Sequence, residues 1–129
     1  MAIKHTWVLA IKNDAGANVI ADTEVLTAPA EENFEMSLPG GNTTDEVDIA
    51  VDVSQIVSFF VESSVDVSMK TYSGVTLKQT IPLTAKKAYG WNANNTVNVC
   101  PLTDDLTKIT FTNTGTVAAA IVGGFLLDI

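Results

Sequence analysis

Between Glu46 and Val53 the chain alternates without a break. Val47, Ile49, Val51 and Val53 fall on one side, and Glu46, Asp48, Ala50 and Asp52 on the other. Only an extended strand with one buried face separates residues this way. The same period of two recurs along the chain. Phe34, Met36 and Leu38 alternate with Asn33, Glu35 and Ser37; Val65, Val67 and Met69 with Asp66, Ser68 and Lys70. Val75, Leu77 and Ile81 alternate with Thr76, Lys78 and Thr80, and Ile109 and Phe111 with Thr110 and Thr112. Near the start, Trp7, Leu9 and Ile11 alternate with Thr6, Ala10 and Lys12.

Turn chemistry separates these runs. Asn13-Asp14-Ala15-Gly16 follows the first strand, and Pro39-Gly40-Gly41-Asn42 follows the run ending at Leu38. Ser73-Gly74 and Asn113-Thr114-Gly115-Thr116 both predict hairpin turns. No segment carries a capped apolar stripe of period 3.6, and the one helical turn expected is at Val53-Ser54-Gln55. Nine or ten short strands spaced about ten residues apart predict an all-β, antiparallel sandwich or barrel. At 129 residues this is one domain over residues 1–129. The stretch from Val117 to Ile129 is apolar or small on both faces. It predicts either a central strand buried on two sides or a strand whose outer face meets another subunit. Its Gly123-Gly124 pair predicts a bulge or a close backbone approach.

Charge excludes one class of partner. Seven basic against fifteen acidic residues leave a net charge of −8, and the basic residues are scattered. Binding to a phosphate backbone needs clustered Lys and Arg, so nucleic acid is not expected, nor is an anionic membrane surface. The apolar C-terminal run is too short for a bilayer span of about 20 residues. With one cysteine, Cys100, no internal disulfide can form, and the start of the chain lacks signal-peptide architecture. A cytoplasmic, unprocessed product is expected.

Little in the sequence points to chemistry. One histidine, His5, and one cysteine cannot make a His/Cys zinc set within a chain. His5 reads as a surface or paired structural residue, and Cys100 as a buried thiol with no base beside it. There is no Gly-x-Ser-x-Gly elbow and no phosphate-cradling glycine loop. The densest carboxylates, Asp45-Glu46-x-Asp48 and Asp104-Asp105, read as solvated acidic surface, with an oxygen-ligated calcium as the alternative. No cofactor is expected and no enzyme activity is expected. The segment 88–95 sets Tyr89 and Trp91 beside Asn92, Asn94 and Asn95. Three readings stay open there: aromatics packed on the core edge, a subunit contact, or a glycan site built from stacking rings and amides. The sequons at Asn42 and Asn94 read as chance matches in an unprocessed chain.

The chain is acidic, cysteine-poor and rich in Thr, Val and Ala. It runs Lys108-Ile-Thr-Phe-Thr-Asn-Thr-Gly-Thr116 into an apolar strand closing on Leu127-Asp128-Ile129. In this it resembles the head decoration, or cement, proteins of tailed bacteriophages, most specifically over the last 20 or so residues. The resemblance implies a jelly-roll-like sandwich and a structural virion protein on the capsid surface. It implies the major capsid protein as partner, assembly as a homo-trimer, and no catalytic residues. Partner contacts are then expected at Ile3, His5 and Trp7 in the N-terminal segment, at Tyr89, Trp91 and Asn92 in the aromatic loop, and at Phe125 and Leu127 in the C-terminal strand. Two classes compete: a carbohydrate- or cell-surface-binding sandwich of a virion spike or tail, and a small glycoside hydrolase, which would need two carboxylates facing one cleft about 5–10 Å apart.

Overall fold

A computed structural model describes residues 2–12, 14–16, 18–94 and 99–129, with side chains described outside 9–12 and 18–22. The alternating segments form strands, except at Val53, which opens a 3-10 turn, and at Val65-Asp66 and Val75, which lie in turns before the next strand, with Val75 exposed. β1 (Ile3–Lys12) and β2 (Asn18–Ala28) make an antiparallel ribbon. β3 (Ala30–Leu38), β4 (Thr43–Val51), β5 (Ile56–Ser63) and β6 (Val67–Ser73) follow, then β7 (Thr76–Leu83), β8 (Tyr89–Asn92), β9 (Leu106–Asn113) and β10 (Ala119–Leu127). A single 3-10 turn, Val53–Gln55, sits where the sequence places it. The Asp52 carboxylate caps it by accepting from the Ser54 backbone N–H at 2.9 Å and hydroxyl at 2.6 Å, and these bonds hold its pKa below the ordinary value.

β3 to β10 divide between two four-stranded antiparallel sheets. The first runs β3-β10-β5-β8 and the second β4-β9-β6-β7. Strands consecutive in sequence cross between sheets at nearly every connection, and the two sheets pack face to face as a jelly roll. Between them lies one core, nineteen buried residues among those described, with Phe59, Phe111, Phe125, Leu38, Ile109 and Val61 each at most 1 % exposed. Phe59 stacks on Phe125 at 5.6 Å between centroids, and Phe34 meets Phe111 of the opposite sheet at 5.7 Å.

One of the two expected hairpins changes here. Ser73-Gly74 does join a hairpin, β6–β7. Asn113-Thr114-Gly115-Thr116 does not, because β9 and β10 belong to different sheets. The segment is a corner, held by the buried Asn113 side chain. Its amide donates to the carbonyls of Leu38 and Val117, and its oxygen accepts from the Gly115 N–H. Hairpin and corner need the same turn residues, so local sequence does not separate them. β10 lies between β3 and β5 as a central strand, buried on both faces from Gly123 to Leu127, while Ala120 and Val122 stay exposed on the outer face. Gly123 and Gly124 keep regular register, and the shift comes later, at Leu126/Leu127. The pair marks close approach. A Cβ on Gly123 would lie 2.3 Å from the Phe34 ring.

The sheet edges are guarded against strand addition. β3 carries Glu31, Glu32 and Glu35; β4 carries Asp45, Glu46 and Asp48; β7 contains Pro82; and β8 has four residues. Charge, proline and shortness are the common means of discouraging edge pairing.

Candidate functional site: a ribbon clasped to the outer face of one sheet

The β1–β2 ribbon lies across the outside of the first sheet. Its alternation points Ile3, His5, Trp7, Leu26 and Ala28 down, and leaves Lys4, Thr6, Val8, Thr23, Val25 and Thr27 facing solvent. Leu26, Ala28 and Leu126 of β10 form a small second cluster, joined by Ile3, Trp7 and Val57. Leu126 is therefore buried on the outer face while Phe125 and Leu127 are buried on the inner one.

Polar groups complete the clasp. Ser58 points outward from β5, yet it is fully buried because the ribbon covers it. Trp7 Nε1 donates to Ser58 Oγ at 2.7 Å, and His5 Nδ1 lies 2.9 Å from the same oxygen. His5 Nε2 lies 2.9 Å from Glu31 Oε2 of β3, whose other oxygen accepts from the Asn33 amide. The neutral imidazole with its proton on Nε2 satisfies every member: Trp7 donates to Ser58, Ser58 to His5, and His5 to Glu31. The edge of the His5 ring meets Phe60, with centroids 6.0 Å apart. Further along the ribbon the Trp7 ring lies over Gly90 of β8. A Cβ there would come 2.7 Å from Trp7 Cη2 and 2.6 Å from the Phe59 carbonyl oxygen, so only glycine admits the indole. Glu24, paired with Trp7 across the ribbon, accepts from the Asn94 amide at 2.9 Å.

Glu31, His5 and Ser58 have the connectivity of an acid, a base and a nucleophile. The geometry gives them another task. The Ser58 hydroxyl is sealed beneath Trp7 and His5 with no exposed surface, so no substrate reaches it as placed. Its hydrogen bonds satisfy a polar atom that the ribbon removes from water.

The structure relocates most residues expected to meet a partner. Ile3, His5 and Trp7 turn inward and hold their own chain. Segment 88–95 is not a free loop, because residues 89–92 are the edge strand β8, paired with β5. Tyr89 and Trp91 point into the sandwich and pack on the core rim, with Tyr89 5.8 Å from Phe59. Burial pushes the Tyr89 phenol above its usual pKa. The Asn92 side-chain oxygen accepts from the Asn94 N–H within its own turn. Asn95 and Thr96, the rest of the Asn94 sequon, lie outside the described residues. Phe125 and Leu127 belong to the core, at 1 % and 5 % exposure, and cannot be the outward contacts expected of them. A run buried on both faces looks the same in sequence whichever layer covers it; here the cover is the chain's own ribbon. Half-burial pushes the Cys100 thiol up, which disfavours the nucleophilic thiolate. Glu46 and Asp48 are solvated, and no group of three or more His, Cys, Asp or Glu able to hold a metal occurs among the described residues. Sequence reasoning missed Ser58 altogether. Its one signal was a lone hydroxyl within the apolar run Ile56-Val57-Ser58-Phe59-Phe60-Val61.

The architecture is thus a jelly roll with an N-terminal ribbon clasped over one sheet. No family model matches the chain, and no curated protein matches it. Among solved structures, one reported as "Bacillus endospore appendages form a novel family of disulfide-linked pili" is similar at 13 % identity and a TM-score of 0.40. It covers 77 % of this chain and 88 % of that one. So loose an overlap carries no argument about function.

Proposed function

We propose that this chain is a structural virion protein that binds the outside of a bacteriophage capsid and braces contacts between major capsid subunits, without catalysis. The observation that carries the reading is the outer face of the ribbon. Val8 and Val25 are diagonal neighbours there, 71 % and 52 % exposed, among Thr6, Thr23 and Thr27. β-Branched side chains on a paired ribbon make a stiff surface that loses little side-chain entropy when a partner covers it. The guarded sheet edges turn docking towards faces. The jelly roll recurs in capsid and lectin domains, so it is compatible with the reading without selecting it. The capsid as partner rests on the sequence resemblance to head decoration proteins. A glycan-binding module is the weaker reading, because both aromatic rings that would stack on a sugar pack against the core rim.

The test is to add purified chain to mature, expanded heads of the phage that encodes it. Saturable binding and raised resistance of the heads to heat are expected, and Val8→Asp with Val25→Asp should weaken binding at least tenfold while leaving the fold intact. Absence of binding at micromolar protein would overturn the proposal.

A further inference from the structure

We propose that the ribbon exchanges between copies: β1–β2 of one chain clasps the first sheet of a second. The inference goes beyond the capsid reading above and stands independently of it, since its partner is a second copy of this chain.

Three observations carry it. Among the described residues the ribbon and the jelly roll form separate buried clusters, three residues where they meet and nineteen in the body's core. A single residue, Pro29, joins them, since β2 ends at Ala28 and β3 begins at Ala30. Proline biases the residue before it towards extended backbone, so Ala28-Pro29-Ala30 readily runs straight, and short connections favour exchange over folding back. The third observation is the socket. Ser58 is a buried polar atom on an outer sheet face, and it needs a cover that supplies both the Trp7 N–H and a His5 nitrogen. The ribbon of another copy meets that need with identical contacts. Exchange therefore costs no interaction and adds whatever surface the two bodies bury, which is why swapped dimers form easily. Because the sheet edges are guarded, the ribbon is the element left to join copies without edge pairing.

The experiment reads molar mass by light scattering, using full-length chain refolded at rising concentration. A variant with about six Gly/Ser residues inserted after Pro29 is run beside it, because a longer hinge lets each ribbon return to its own body. Wild type should elute at an integral multiple of 13.7 kDa, and the insertion variant at the single-chain mass with unchanged circular dichroism. Wild type that stays at the single-chain mass at every concentration overturns exchange, as does an oligomer that the insertion does not disperse. Head binding is measured separately on the same samples. Loss of exchange with head binding retained removes only this inference; exchange without head binding removes only the capsid reading.

Discussion

The jelly-roll body and the N-terminal ribbon are both antiparallel β-structure made from alternating sequence, yet different forces hold them. Among the described residues the body encloses nineteen buried ones between two sheets, with Phe34 and Phe111 meeting across the gap. The ribbon lies on the outside of that body, held by two leucines, an alanine and a chain of hydrogen bonds from Glu31 to Trp7. Apolar burial scales with area, so the body owes its stability mainly to packing. Among the described residues the ribbon shares only a small apolar cluster with the body, and polar groups meeting at specific distances complete its hold. Regions built the first way resist change. Regions built the second way can detach and rebind, which a protein that works by contact can use.

Phe59→Ala breaks the comparison from the body's side. Phe59 is fully buried and touches Phe125 and Tyr89, so its loss should cost about 3–5 kcal/mol by denaturant titration and loosen ribbon and body together. Trp7→Ala should act on the ribbon. It removes an indole lying over Gly90 and a donor to buried Ser58, a loss of about 2–3 kcal/mol. Ribbon amides should lose protection while β5, β9 and β10 keep theirs. Ser58→Ala sharpens the contrast, since it removes one hydroxyl and leaves the Trp7 N–H without its acceptor. About 1–2 kcal/mol should be lost, again confined to the ribbon. An equal loss of protection in body and ribbon would mean that the two are one unit.

The body was legible in the sequence because strand periodicity is local. Val47, Ile49 and Val51 announce β4 and its buried face without reference to the rest of the chain. The sandwich class followed from the number and spacing of such runs. Which strands share a sheet was less legible, as the Asn113–Thr116 corner shows, because turn residues report a reversal and not its destination. The clasp was not legible at all. His5 and Ser58 are 53 residues apart and Trp7 and Ser58 are 51, so nothing near any of them predicts the meeting. The same distance hides the packing of Trp7, Phe125 and Leu127. Each is apolar near a chain end, yet Trp7 lies against the outer face of the first sheet and Phe125 and Leu127 lie between the sheets.

Native-state hydrogen exchange across a denaturant series tests the two-unit account most directly. Amides of β1 and β2 should form one cooperative group that opens at lower free energy than the β5, β9 and β10 group, and Trp7→Ala should lower only the first. A single group containing ribbon and body, opening together at the global unfolding free energy, would contradict it.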